Sequence, residues 1–153
     1  MSSNATIERN KATVRRLLDE VINTGRLDLC DRYLAADRID YMDYGMPAGM
    51  ANGHDGFRRV LGFFREAFPD LRLTIEFLVT DTEKMVAYIL TEGTHLGSFM
   101  GAPPTGKRFK VHGVDIFAFN VEGLISDHWG AFDALGVMRQ LGLIPAPATQ
   151  EAA

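Results

Sequence analysis

The run Arg108-Phe-Lys-Val-His-Gly-Val-Asp-Ile-Phe-Ala-Phe119, the turn Asn120-Val-Glu-Gly123 and the run Leu124-Ile-Ser-Asp-His-Trp-Gly-Ala131 decide the fold. Side chains alternate sides along a strand, so Phe109, Val111, Gly113, Asp115, Phe117 and Phe119 share one face of the first run. The second run splits into Ile125, Asp127, Trp129 and Ala131 against Leu124, Ser126, His128 and Gly130. A four-residue turn makes the two runs an antiparallel pair. With Asn120 opposite Gly123, Asp115 faces His128; one residue tighter, it faces Asp127. A slip of one residue exchanges the two faces, and both registers stay open at this level.

The same period extends upstream. Leu71, Leu73, Ile75, Phe77 and Val79 alternate with Arg72, Thr74 and Glu76, Asp81-Thr82-Glu83 turns the chain, and Met85 to His95 continues in strand-forming residues. Before Pro69-Asp70 the period is helical. Ile7, Val14, Leu17, Leu18, Val21 and Ile22 mark a first helix that Gly25 stops in a left-handed conformation. A short second helix runs from Arg26 to about Leu34, and a third from about Asp55 to Ala67 buries Phe57, Val60, Leu61 and Phe64. A brief strand is expected from Ile39 to Tyr44, and a closing helix from Asp133 to Leu141. Three helices first and antiparallel strands last predict an α+β fold, with helices laid on one face of the sheet. The 153 residues suit one domain over 1–144, followed by a Pro/Ala-rich flexible tail over 145–153.

Composition excludes several classes of function. The net charge of −4 comes without a basic run, so a nucleic-acid partner has no electrostatic footprint. No apolar stretch approaches the roughly 20 residues that span a bilayer. The opening Met1-Ser-Ser-Asn-Ala-Thr6 is polar, and Cys30 has no second cysteine to pair with; both set the expectation of a cytoplasmic protein with a buried structural thiol. The histidines His54, His95, His112 and His128 lack metal-ligand spacing, and no nucleotide-binding or serine-hydrolase motif occurs, so neither metal nor cofactor is expected.

The candidate chemistry lies where charge interrupts an apolar pattern. Asp115 stands in a row of Phe, Val and Gly. A carboxylate there loses hydration, and unless it is paired its pKa rises into a range useful for acid/base work. The plain alternative is a buried aspartate holding backbone amides. Asp127 and His128 repeat the anomaly one strand on, offering either a second carboxylate or an imidazole as partner. Trp129 reads as a core aromatic or a pocket wall. Asp40, Tyr41, Asp43 and Tyr44 cluster on the short strand, and either parity turns one Asp and one Tyr inward. His95 sits at a strand end.

One series of motifs runs through the chain: Ala67-Phe-Pro-Asp-Leu71, Gly93-Thr-His-Leu-Gly97, Gly101-Ala-Pro-Pro-Thr-Gly-Lys107, Glu122-Gly-Leu-Ile-Ser-Asp-His-Trp129 and Gln140-Leu-Gly142. From Ile7 to Gly142 the chain resembles the SnoaL-like polyketide cyclases, within the nuclear-transport-factor-2-like fold. The resemblance implies a cone-shaped curved sheet and helices enclosing an apolar pocket, and a homodimer formed through the outer sheet face. It implies cofactor-free ring closure of anthracycline precursors by intramolecular aldol chemistry, with an aspartate as acid/base. Ketosteroid isomerases share the fold, and their pocket acid occupies an Asp-x-Phe motif similar to Asp115-Ile116-Phe117.

One departure from the cyclase pattern matters for the chemistry. An ungapped match puts Gly130 where the aldol cyclases carry their acid/base aspartate, Asp115 where they carry a pocket histidine, and His128 on a nearby cyclase histidine. Catalysis is therefore expected from Asp115, Asp127 and His128, with Trp129, Asp40, Tyr44, His95, Phe64 and Phe117 contacting a polycyclic aromatic substrate. Two other readings are a hydroxylase, or hydroxylation component working with a separate reductase on an anthracycline aglycone, and a non-catalytic protein that binds an aromatic ligand.

Overall fold

The structure is a computed structural model and describes residues 3–145, 147 and 148. The tail expected from residue 145 therefore falls mainly outside the described residues. Helix α1 spans Ser3–Arg16, and the chain then widens into a π-helical turn over Leu17–Ile22, closed by the Asn23 N–H on the Leu18 carbonyl at 2.8 Å. Widened turns of this kind often accompany functional sites; here Leu17, Leu18 and Ile22 face a cavity. Gly25 has φ +74°, the left-handed stop its position requires. The Asn23 side chain then donates to the Leu73 carbonyl at 2.9 Å and accepts from the Leu73 N–H at 2.8 Å, tying the helix to the sheet.

A 3-10 segment, Leu27–Arg32, leads into β1 (Leu34–Asp40). Helix α2 (Gly53–Ala67) follows, then β2 (Arg72–Thr80), β3 (Lys84–Thr94), β4 (Arg108–Phe119), β5 (Ile125–Phe132) and α3 (Ala134–Gln140). The sheet order is β1-β5-β4-β3-β2. The last four strands form an antiparallel meander, and β1 joins its edge parallel to β5. Strand β1 starts five residues before the expected Ile39 and stops at Asp40, because Leu34 and Ala35 are buried and pair early, leaving 41–52 as a loop.

Two bulges reset the inward faces. Between Ile75 and Phe77 the β2–β3 register shifts, so Phe77 and Val79 turn to solvent, 53% and 58% exposed, although the sequence alternation put them beside Leu73. Between Ala118 and Phe119 the β4–β5 register shifts as well, with Phe119 opposite Ile125 and Ala118 opposite Asp127. An extra residue in one strand reverses the parity beyond it. Ile125 and His128 therefore both point inward, and Asp127 points out. Asp115 stands opposite Gly130, which is neither of the two registers the turn allowed.

The core falls into two clusters. One gathers Val14, Leu17, Leu18 and Val21 against Leu34, Ile89, Phe117 and Ile125. The other gathers Phe68, Leu71, Phe109 and Val111 under Val137 and Leu141 of α3. Each fully buried side chain of this size contributes about 1.5–3 kcal/mol of burial free energy. No described helix is long and apolar enough to cross a membrane.

Candidate active site

A cavity of about 980 Å³, counted with its open mouth, lies between the helices and the inner sheet face. Its wall draws on both core clusters. Leu17, Leu18 and Ile22 close one side, Phe57, Val60 and Phe64 of α2 another, and Ile89, Phe109 and Phe117 form the sheet wall. Such a lining favours an apolar ligand and leaves orientation to a few polar groups.

Those groups form one chain of side chains across three backbone segments. Arg38 Nη2 donates to Asp40 Oδ2 at 2.5 Å. Asp40 Oδ1 lies 3.0 Å from His128 Nδ1, and His128 Nε2 lies 3.1 Å from Asp115 Oδ1. The Tyr44 hydroxyl donates to Asp40 Oδ2 at 3.2 Å, and the Met42 N–H donates to Asp40 Oδ1 at 3.1 Å. Backbone placement explains the set. Asp40 and His128 are partners in the β1–β5 pairing, and His128 is the diagonal neighbour of Asp115 on the inner face.

The electrostatics follow from this order. Burial pulls the His128 imidazole down, but its hydrogen bonds to Asp115 and Asp40 outweigh that and hold its pKa up at about 9. At neutral pH it is an imidazolium that donates from both nitrogens. Burial alone would push the Asp40 carboxyl up; the His128 bond and charge, with Arg38, hold it below the usual carboxylate range. Burial, then the Asp40 and Asp115 charges, push the Tyr44 phenol up, so it stays a neutral donor. Arg38, Asp40, His128 and Asp115 thus alternate in sign and sum to zero, which is how charges persist away from water.

The two aspartates are not equivalent. Asp40 is 2% exposed, and its four acceptor positions are taken by four donors. Asp115 is 26% exposed and lines the cavity; its Oδ2 accepts no hydrogen bond among the described residues. One carboxylate is locked, and the other keeps an oxygen without a partner among the described residues.

Of the residues singled out from sequence, Asp115, His128, Asp40, Tyr44, Phe64 and Phe117 line the cavity together. Five others, Asp127, Trp129, Tyr41, His95 and Asp43, do not. The β5 bulge turns Asp127 outward, where its carboxylate accepts from Ser126 Oγ at 2.7 Å and from the Tyr41 hydroxyl at 3.3 Å. Trp129 shares that outer face, stacked on Tyr41 at 4.9 Å with Lys84 Nζ 5.8 Å from its ring centre. His95 is fully buried in the second core cluster, against Phe68 and Phe99. Its Nδ1 accepts from the Thr105 N–H at 3.2 Å and lies 3.0 Å from Thr105 Oγ1, so it pins the 97–106 loop. Asp43 is exposed and caps the Gly45 N–H at 2.8 Å.

Arg38 was missed. It lay outside the strand expected from Ile39, yet Arg38, Asp40, Met42 and Tyr44 keep one parity, and that alternation was the available signal. Among the described residues no group of three His, Cys, Asp or Glu side chains is placed to hold a metal.

An apolar cavity with a carboxylate held on a buried histidine defines a class: small α+β proteins with a ligand-sized pocket between helices and a curved sheet. The sequence profile of the SnoaL-like polyketide cyclases matches residues 12–141, and the chain belongs to that family. It is 34% identical over 125 residues to nogalonic acid methyl ester cyclase of Streptomyces nogalater, covering 78% of this chain and 88% of the relative. It is 28% identical over 135 residues to the aklanonic acid methyl ester cyclase DnrD of Streptomyces peucetius, covering 84% of this chain and 88% of DnrD. AclR of Streptomyces galilaeus, for which a hydroxylase role has been suggested, superposes with a TM-score of 0.78 at 24% identity, covering 94% of this chain and 87% of AclR, a likeness of fold alone.

Proposed function

We propose that this protein closes a ring of a polycyclic aromatic polyketide, with Asp115 as acid/base. The observation that carries the reading is the Asp115 carboxylate on the cavity wall, with Oδ1 held by His128 and Oδ2 without a partner among the described residues. Asp115 takes a proton from the carbon beside a substrate carbonyl. The resulting enolate attacks a second carbonyl in the same molecule, forming the carbon–carbon bond. The proton held on Asp115 returns to the new alkoxide oxygen, so the atoms of substrate and product balance and no electron acceptor enters. His128 stabilises the carboxylate, and Arg38 and Asp40 orient His128. General acid/base groups of this kind supply about 10²–10⁴ in rate.

A second reading is hydroxylation of the same class of compound with a separate reductase. Gly130, standing where the aldol cyclases carry their aspartate, favours it. Incubation with nogalonic acid methyl ester, and separately with a tetracyclic aglycone, NADPH and a reductase, distinguishes the two by mass. A product of unchanged mass supports cyclisation, and a gain of one oxygen atom overturns it in favour of hydroxylation.

The working form is a homodimer in the cytoplasm, joined through the outer sheet face. Phe77 and Val79 stand exposed on β2, and Phe77 stacks on Tyr88 at 5.0 Å, which stacks on His112 at 4.9 Å. An apolar, aromatic face left open on a small monomer is the kind of surface a second copy covers.

A further inference from the structure

The missing side chain at position 130 is a structural feature of the site. Gly130 and Asp115 are directly opposed on the inner face of β4 and β5. A Cβ built on Gly130 would lie 2.8 Å from Asp115 Oδ1, 3.0 Å from Met42 Sδ and 3.4 Å from the Val114 carbonyl. The oxygen met first is the same Oδ1 that accepts from His128 Nε2. Gly130 is not among the positive-φ glycines of the chain, so its backbone does not itself require glycine; what a side chain meets there is first the Asp115 carboxylate and then the thioether end of Met42, a flexible side chain that can give way.

We infer that Gly130 is a positioning residue: it vacates the volume through which the Asp115 carboxylate crosses from β4 onto His128. Directly opposed inner-face residues on antiparallel strands bring their Cβ atoms about 4.5–5.5 Å apart, whereas diagonal neighbours are about 7–8 Å apart. To reach its diagonal neighbour, Asp115 leans its carboxylate over the residue directly opposite. With Gly at 130 that lean is free. With any larger residue the carboxylate and the new side chain compete for one volume, and Asp115 swings off His128. Position 130 thus decides whether β4 can deliver the carboxylate to this part of the cavity.

The inference rests on Asp115 being the working carboxylate, and its test needs no substrate, so it stands or falls apart from the reaction assigned above. The groups facing His128 are Asp115 of β4, Asp40 of β1 and, through Asp40, Arg38 and Tyr44. Nuclear magnetic resonance titration of the His128 ring is carried out in the full-length protein and in the variants Gly130→Ala, Asp115→Ala and Gly130→Ala/Asp115→Ala. Loss of one carboxylate partner lowers an imidazole pKa by about one pH unit or more. The Gly130→Ala midpoint is expected to fall by that amount, while adding Gly130→Ala to Asp115→Ala changes nothing further. If Gly130→Ala alone does not fold, the double variant regains the fold, since the carboxylate it would collide with is gone. A wild-type midpoint in Gly130→Ala, an equal further fall in the Asp115→Ala background, or a double variant that fails to fold where Asp115→Ala folds would each overturn the assignment.

Discussion

Asp115 and His128 are joined side chain to side chain at 3.1 Å although neither stands opposite the other in the β4–β5 ladder. The bond spans a diagonal, made possible by a bulge that turns His128 inward and by a residue with no side chain at 130. It links the one open carboxylate of the cavity to a locked Arg38–Asp40 pair. The site is thus a largely buried relay with one accessible end at the cavity, the arrangement on which the proposed acid/base role of Asp115 rests.

The relay makes stability depend on pH with a definite sign. His128 is raised from 6.5 to about 9 in the folded state, so its contribution is fully present below 6.5 and is lost as pH climbs through 9. That gap corresponds to about 3 kcal/mol. Asp40 is lowered from 3.8, so its contribution is present above that value and disappears as pH falls through the folded pKa. Urea unfolding followed from pH 3 to pH 10 is expected to peak between about pH 4 and 6.5 and to decline on both sides. A stability that keeps rising from pH 6.5 to 9 would count against a charged His128.

Asp40→Asn keeps the shape of the relay and removes its central charge. Arg38 is then a buried cation without a counter-charge, a loss of about 3–5 kcal/mol when one member of such a pair is removed. The denaturation midpoint should fall accordingly, and the His128 ring should titrate lower than in the wild type. An unchanged midpoint would mean that Asp40 is not the group that holds Arg38.

The outer face makes a separate prediction. Phe77→Lys places a charge on the exposed aromatic row, far from the cavity lining. Light scattering coupled to size-exclusion chromatography should give a dimer mass for the wild type and a monomer mass for the variant. A wild-type monomer at working concentration refutes the dimer, and a dimeric variant moves the interface elsewhere.

Sequence periodicity found the strands well. Arg108–Phe119 is read with the same limits the structure has, and the other strands of the meander differ by one residue at either end. The inward row of Phe109, Val111, Asp115 and Phe117 was also legible, because Arg108, Lys110 and His112 fix the parity at its start and the strand keeps it to Phe117. What alternation cannot register is a bulge. One extra residue near Ser126 sends Asp127 and Trp129 outside and leaves His128 within, and another beyond Ile75 exposes Phe77. The Arg38–Asp40 pair escaped for a different reason: β1 is short, joins the edge in parallel and carries charge on its inner side, so the strand is read too late in the sequence and Arg38 falls before it. His95 read as a strand-end polar residue, and only its contacts reveal it as the post that holds Thr105.

The most direct test of the central claim compares wild-type protein with Asp115→Asn on nogalonic acid methyl ester, following product mass and rate together. A product of unchanged mass is expected from the wild type, and a turnover lowered about 10²–10⁴-fold in a variant that folds and still binds the ester. A variant that turns over at the wild-type rate, or a wild type that binds the ester without changing it, would contradict the claim.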